Sequence, residues 1–435
     1  MNKLKLNEDQ ERAVEQMLEF VRKKSADQLF LLEGSAGTGK TTCVQEVVRD
    51  LVATGNSIVL TAPTNKATKV LRSTAARMGL GDQVSAMTIY SLLGLRLSQD
   101  SEFVRIEPLG QTALSGLTAV VVDEASMISA ELFNQIGQAC NAFPHVKFIF
   151  MGDAMQLPPV GEDNSMAMQL ADKAVLYKVE RHDNQILTLA THLRDCIAKR
   201  ISPSLKTDAD ENGGVVCVDY KKMRGFLERT YGAEEYGVRP DTVKTIAWRN
   251  MTVDSYNQII REELIYKKED LPKFMLGERL IATNPVVDFA GVKAPLMSTD
   301  EEADCVSLQV GPHPMFPNIG TYQMLLESEF CEYVVPAYVP HETSESAYKR
   351  QLKELYDLAK SGKKRWAEYH DFRTTFFAAL RPCHSITAHR SQGSTYESVV
   401  VDVRDILSNR NESEAMRCLY VACTRASKKL VLRTR

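Results

Sequence analysis

Gln28-Leu-Phe-Leu-Leu-Glu-Gly34-Ser-Ala-Gly-Thr-Gly-Lys40-Thr41-Thr42 runs from a short apolar stretch through a glycine-rich bend into an amphipathic segment. Gln28 to Leu32 reads as a buried strand, and Thr41 to Ala53 carries apolar residues at helical spacing. Between them, Gly34 to Thr41 fits G-x-x-x-x-G-K-[ST] in the strand-to-helix setting that the pattern requires. Such a loop curls its backbone N–H groups towards phosphate oxygens, and the helix that follows adds its positive end. Gly34, Ser35, Ala36, Gly37, Thr38 and Gly39 are therefore expected to wrap the phosphates of a nucleotide. Lys40 would neutralise the β- and γ-phosphates, Thr41 would reach Mg²⁺, and Thr42 lies in the same first turn.

Working outward, strand and helix alternate. Leu6 to Arg22 has helical spacing with Asn7 as a plausible N-cap. Ser57–Thr61 reads as a strand, Asn65–Met78 as a helix, and Ala119–Val122 and Val146–Phe150 as further strands, an order that argues for a parallel sheet. Gly94 to Ile106 interrupts the alternation and reads as an inserted hairpin around a Gln99-Asp100-Ser101 turn. A second α/β unit begins with a helix from Asn184 to Lys199, a strand Thr242–Trp248 and a helix Asn250–Tyr266. Gly277 to Tyr338, with short strands and Pro/Gly turns, reads as a β-rich insertion, and His341 to Arg373 as a charged helical segment. Ser398–Asp402, Glu412–Thr424 and Lys429–Leu432 then resume the second sheet as strand, helix and strand.

The strand Val120-Val-Val ends in Asp123-Glu124. Adjacent side chains on a strand point in opposite directions, which would let Asp123 join the Mg²⁺ shell while Glu124 orients the attacking water. Gln156, after the next strand, offers an amide that could sense the γ-phosphate. Arg425, after the last helix, could reach across a domain cleft to a transferring phosphoryl group.

Composition limits the alternatives. With 435 residues, 44% hydrophobic and 25% charged, the chain should fold as two to four soluble domains. Its formal charge of −3 excludes a uniformly basic binder, so any nucleic acid would be held in a local groove. No apolar run approaches a membrane span and no signal core opens the chain, so a cytoplasmic protein is expected. The nine cysteines show no C-x-x-C and read as reduced thiols. Cys383, His384 and His389 cluster but lack paired zinc spacing, and no metal beyond the nucleotide's Mg²⁺ is expected. Lys363-Lys364-Arg365-Trp366 with Tyr369 mixes cations and aromatics. It reads either as a nucleic-acid contact or as a solvated helix with Trp366 packed beneath it.

In order along the chain, these stretches resemble the motifs of superfamily 1B helicases of the RecD-like group, and look most like the phage Dda helicases. Leu6-Asn-Glu-Asp-Gln10 resembles the adenine-reading glutamine motif. Thr61-Ala-Pro63-Thr64-Asn65-Lys-Ala67 and Thr88-Ile-Tyr90-Ser-Leu-Leu93 resemble the strand-contacting motifs. Asp123-Glu124 and Gly152 to Pro159 resemble motifs II and III, and Val179-Glu-Arg181-His resembles the motif with the γ-phosphate arginine. Thr387-Ala-His389-Arg390-Ser-Gln-Gly393 and Tyr420 to Ala426 resemble motifs V and VI. Tyr90 stands where the family usually has His, and Arg390 where it usually has Lys.

The resemblance implies two RecA-like domains, 1–180 and 181–274 with 379–435. It further implies a pin hairpin at about 94–115 and an SH3-like insertion with the charged helix at 275–378. It also implies ATP and Mg²⁺ as ligands, and Lys40, Asp123, Glu124, Gln156, Arg181 and Arg425 as the catalytic set. Gln10 would contact the adenine, and Pro63, Thr64, Asn65, Thr88, Tyr90 and His389 single-stranded DNA. The activity implied is 5′ to 3′ unwinding by a monomer at single-strand/duplex junctions, with a single-strand-binding protein or a replisome component as candidate partner. A phage origin would place it in host cytoplasm, in replication, recombination or repair. Three other readings stay open on the residues alone: a translocase without processive unwinding, a P-loop nucleotide switch or small-molecule kinase, and an adaptor with a vestigial nucleotide site.

Overall fold

The computed structural model describes residues 6–100, 103–108, 110–178, 185–211, 213–233, 236, 242–289, 295–328 and 333–434. The first sheet contains β1 (Leu29–Gly34), β2 (Ile58–Ala62) and β3 (Ser85–Thr88). A hairpin of β4 (Leu95–Asp100) and β5 (Phe103–Pro108) follows, and then β6 (Ala119–Val122), β7 (Lys147–Gly152) and β8 (Lys173–Leu176). The order β3-β2-β6-β7-β1-β8 is parallel throughout. Side-chain alternation splits each strand between two cores. Phe30, Leu32, Val121 and Ile149 pack under the helices Glu8–Arg22, Lys40–Ala53 and Asn65–Arg77. Leu31, Val120, Val122, Phe148 and Phe150 face the helix Ala130–Ala142. Strands buried on both faces explain why these runs are almost entirely apolar.

The hairpin departs from its expected turn. Gln99 pairs with Val104 and Asp100 with Phe103, so Gln99 and Asp100 are ladder residues, while Ser101 lies outside the described residues. The backbone N–H of Ile106 donates to Glu131 at 3.2 Å, fixing the root of the hairpin to a core helix.

The second sheet is built from β9 (Asp208–Asp210), β10 (Gly213–Val218), β11 (Val243–Ala247), β19 (Ser385–Thr387), β20 (Tyr396–Asp402) and β21 (Ala426–Arg433), in the order β19-β11-β20-β21-β10-β9. It is parallel except for its β9 edge. The same alternation recurs, with Val399, Val401, Leu430 and Leu432 on one face and Val400 and Val431 on the other. The expected helix Asn250–Tyr266 is α-helical only to Ile259 and continues as a π-helix over Ile260–Ile265. In this widened turn Arg261 is buried in an ion pair with Glu278 of the insertion.

Between β11 and β19 the chain builds an antiparallel sheet from β12 (Arg279–Ala282), β15 (Glu302–Pro312), β16 (Gly320–Glu327), β17 (Val335–Pro340) and β18 (Leu380–Pro382), ordered β17-β16-β15-β12-β18, beside a two-stranded ladder of β13 (Val286–Val287) and β14 (Pro295–Met297). Because β18 pairs with β12, the sheet extends beyond the expected limit at residue 378. The insertion is pinned to the second sheet by a buried ion pair, Lys244 Nζ to Glu302 at 3.1 Å. Burial opposes ionisation of Glu302, but Lys244, Lys66 and Arg279 outweigh it and hold the carboxyl down to about 2. Among the described residues the cysteines are free thiols, and no helix is long and apolar enough to cross a membrane.

Candidate nucleotide site between two sheets

Parallel strands end their side-chain chemistry at the carboxyl edge of the sheet, where helix N-termini also gather. The loops after β1, β6 and β7 therefore bring Lys40, Asp123 and Gln156 to one rim. Gly39 is the N-cap of the phosphate-loop helix at φ +84, and a Cβ there would sit 2.3 Å from Gln10 Nε2. Glycine is thus required both by the left-handed backbone and by the close approach of Gln10. Gln10 is 4% exposed. Its amide donates to the Thr38 carbonyl at 3.1 Å and accepts from the Asn7 backbone at 3.0 Å, completing a capping box. Gln10 is therefore fastened to the phosphate loop itself. Thr38 is buried, with its hydroxyl on the Ser35 carbonyl. Lys40 Nζ donates to the carbonyls of Gly34 at 2.7 Å and Ser35 at 3.1 Å. These are bonds that a phosphate oxygen could replace. Ala36, Gly37, Thr41 and Thr42 complete the loop and first turn.

The carboxylate pair departs from the strand-alternation reading. The strand stops at Val122, and Glu124 has a left-handed backbone at φ 52 with its N–H on Asp123 Oδ1 at 2.7 Å. A kink at Glu124, and not strand alternation, therefore sets the direction of its carboxyl. A non-glycine residue held in this conformation costs roughly 1–3 kcal/mol, which is typical of a functional turn. Desolvation, reinforced by Glu124, pushes Asp123 up to about 7. Glu124 is also raised by desolvation, against the opposing charges of Arg425 and Lys40. Two crowded carboxyls at a phosphate loop form a hard oxygen donor set of the kind that suits Mg²⁺.

The sign of this shift yields a prediction. The folded state binds more protons than the unfolded state between about pH 4 and 7, so Asp123 costs stability as pH rises through that window. Asp123→Asn keeps the acceptor for the Glu124 N–H and removes the charge. In thermal scans of nucleotide-free protein at pH 8 it is expected to raise Tm by at least about 2–4 °C, the shift that roughly 1 kcal/mol gives in a domain of this size. The gain should shrink when the scans are repeated at pH 5, while ATP turnover is lost at both.

The second sheet completes the site. Gln156 is 7% exposed, and its side-chain oxygen accepts from Gln392 Nε2 at 3.3 Å. Gln392 also reaches Ser126 Oγ at 3.4 Å. Asp153, 1% exposed, accepts from Tyr420 Oη at 2.5 Å and pairs with Arg194. Arg417 donates to the carbonyls of Ala154 at 2.6 Å and Gln156 at 2.8 Å. A Cβ on Gly393 would lie 3.8 Å from Glu124 Oε1. Arg425, 7% exposed, lends its charge to Glu124 and bonds to the carbonyls of Val421 at 3.0 Å and Ser394 at 3.1 Å. Arg181 lies outside the described residues.

Asp153, Arg194, Gln392, Arg417 and Tyr420 had no assigned role in the sequence reading. Three of them stood inside quoted motifs, but a pairing between residues this far apart along the chain leaves no local pattern.

The expected strand-contacting residues fall on the same edge of the first sheet, after β2 and β3, which pair in register from Val59↔Ser85 to Ala62↔Thr88. Thr64 and Thr88 are N-caps, accepting from Ala67 N at 3.2 Å and Ser91 N at 3.1 Å, so both hydroxyls already organise helix starts. Pro63 and Asn65 flank the first cap, with Asn65 exposed. Tyr90 is half-buried, and desolvation pushes its hydroxyl up to about 12. His389, on the second sheet's side, faces Glu414 at 3.5 Å. Burial lowers its pKa against the pull of Glu414. The donor atoms of His389, Glu414 and Cys418 lie within 4.8 Å of one another. The Cys418 thiol is buried and pushed up to about 12, which suits a core thiol beside the histidine–carboxylate contact.

Residues 5–208 match the AAA domain family, and residues 382–433 match the UvrD-like helicase C-terminal domain. An uncharacterized protein of Acanthamoeba polyphaga mimivirus is 27% identical, covering 98% of this chain and 99% of its own. The ATP-dependent DNA helicase dda of Enterobacteria phage T4 is 23% identical over 97% of each chain. Among solved structures, Pif1 helicase from Bacteroides in complex with ADP-AlF3 and ssDNA shares the fold. Its TM-score is 0.52 at 14% identity, covering 98% of this chain and 92% of that one. Two parallel sheets with a phosphate loop on one and an arginine approaching from the other define a two-domain P-loop ATPase. Within that class its sequence is similar to the Dda helicase of phage T4, and its fold to that of the Bacteroides Pif1 helicase.

Proposed function

We propose that the protein is an ATP-dependent DNA helicase that moves 5′ to 3′ along single-stranded DNA and opens the duplex at a junction, using Mg²⁺ held by Thr41 and Asp123. The observation that carries this reading is the divided site, with Lys40 and Glu124 on the first sheet, Arg425 and Gln392 on the second, and Gln156 bonded across to Gln392. A nucleotide that touches both halves binds the closed arrangement better than the open one, and only such differential affinity can drive closure. Hydrolysis removes it, and the domains separate. If Pro63–Asn65, Thr88 and Tyr90 grip the strand on one domain and His389 on the other, alternate closing and opening moves the protein along it.

DNA as the track is supported by the description of the T4 relative as a DNA helicase and by the ssDNA in the Bacteroides Pif1 complex. The direction rests on the superfamily 1B resemblance. The hairpin, rooted at Glu131, serves as the wedge, and the antiparallel sheet of the insertion is the SH3-like accessory domain. On this reading the protein acts as a monomer, in host cytoplasm if phage-encoded, alongside a single-strand-binding protein or replisome component.

The test compares ATP-driven opening of one duplex carrying a 5′ single-stranded tail with the same duplex tailed at the 3′ end. Opening from the 5′ tail alone is expected. Opening from the 3′ tail alone would overturn the direction, and no opening from either, with ATPase still stimulated by single strands, would leave a translocase without a working wedge.

A further inference from the structure

The insertion carries a helical hairpin whose far end serves neither the nucleotide site nor the cores. Helix Glu345–Lys360 is anchored at its base, where Tyr348 stacks on Phe372 at 5.4 Å and meets Phe377 edge-on at 4.9 Å. Beyond that base it buries only Ala359, and the short helix Trp366–His370 buries nothing. Two turns past Tyr348, about 12 Å along the axis, Tyr356 is 38% exposed and meets Trp366 at 5.6 Å and 75°. Tyr369 completes the group, 5.7 Å from Tyr356 and 5.9 Å from Trp366.

The turn beside these rings, bent at Gly362 with φ +73, presents Lys360, Lys363, Lys364 and Arg365, all exposed. Lys364 pairs with Glu368 at 3.0 Å, whereas among the described residues Lys360, Lys363 and Arg365 have no carboxylate in ion-pairing range. Residues 345–373 hold eight Lys and Arg against five Asp and Glu, in a chain whose net charge is −3. Charge is thus segregated to this tip.

A merely solvated helix accounts for the cations but not for three large rings grouped without a core beneath them. Cations next to partly exposed aromatic rings are what a single strand requires, since its phosphates are neutralised by Lys and Arg and its bases stack on aromatics without regard to sequence. An acidic peptide matches the charge and leaves the rings without a purpose. We infer that this tip is a second contact for single-stranded DNA, outside the ATP cleft, with Lys363 and Arg365 on phosphates and Trp366 or Tyr356 beneath a base. The inference rests on the DNA-motor reading, yet it can fail on its own.

The chain has two tryptophans, Trp248 and Trp366, so W248F leaves Trp366 as the sole indole reporter. Titration with a 20-nucleotide oligo-dT is expected to quench that emission saturably. Two phosphate contacts carry a slope of about 0.7 each for single strands. K363E/R365E should therefore raise the quenching midpoint at least about tenfold and lower the log–log salt slope by roughly 1–1.5. The ATPase rate at saturating oligo-dT should stay within about twofold of the parent's, because these residues lie away from the nucleotide. If W248F folds poorly, the quench lost between the parent chain and W366F gives the same quantity. Stimulation of ATPase by oligo-dT without any change in Trp366 emission would overturn the tip contact and leave the motor reading standing. Equal quenching by poly-glutamate at matched charge would also overturn it, in favour of an acidic protein partner. Quenching that persists with no ATPase stimulation would support the tip contact and count against the motor.

Discussion

Lys40→Ala is expected to lower ATP turnover by about 100- to 1000-fold or more, the range seen when one preorganised charge or donor is removed from a transition state. The geometry explains why no neighbour can substitute. Lys40 leaves the first turn of its helix and already points back across the mouth of the loop, onto the carbonyls of Gly34 and Ser35. Affinity for oligo-dT, read by fluorescence anisotropy without nucleotide, should change by less than about threefold, because the rim at Pro63–Asn65 and Thr88 follows different strands. Equal ATPase rates in variant and parent would remove Lys40 from the site. A collapse of DNA binding alongside turnover would point to misfolding and call for thermal melts on both proteins.

Arg425→Ala is expected to lower kcat by about 10³- to 10⁵-fold, the measured worth of an arginine that meets a transferring phosphoryl group, while nucleotide affinity stays within a few fold. Its charge matters most when negative charge builds on the equatorial oxygens, so the loss belongs in kcat more than in KM. The residue also has a structural task. Its guanidinium is nearly buried and bonds to Val421, Ser394 and Thr424, so alanine leaves carbonyls unsatisfied. Arg425→Lys separates the two roles: it keeps a cation and gives up the planar fork. Single-turnover rates with the lysine variant should fall between those of parent and alanine variant. A defect in both variants confined to KM, with kcat intact, would contradict a role in the transition state.

The phosphate loop was legible because its demands are local. A glycine at φ +84, an apolar strand and a capped helix are properties of neighbouring residues, and each leaves a trace in the order of side chains. The parallel sheets were legible for a related reason, since strands buried on both faces must be apolar at successive positions. Asp123 and Glu124 could be found by type and place, but the kink at Glu124 could not. A left-handed residue other than glycine has no signature, and strand alternation does not hold at Glu124 because the strand has already ended at Val122. Thr64 and Thr88 were named through the resemblance to strand-contacting motifs, and their work as helix caps required knowing where each helix begins.

The chain order by itself determined the motifs, the strand and helix alternation, the inserted hairpin and the β-rich insertion, because propensity, capping and burial periodicity act over a few residues. Only the tertiary structure decided that Gln156 meets Gln392, that Tyr420 and Arg194 converge on Asp153, that Arg417 holds the backbone around Gln156, and that Lys244 binds the insertion through Glu302. Such pairs form where loops, helices and strands of separate sheets pack against one another. Their free energy comes from desolvated hydrogen bonds and ion pairs that depend on distance in space, for which separation along the chain carries no information.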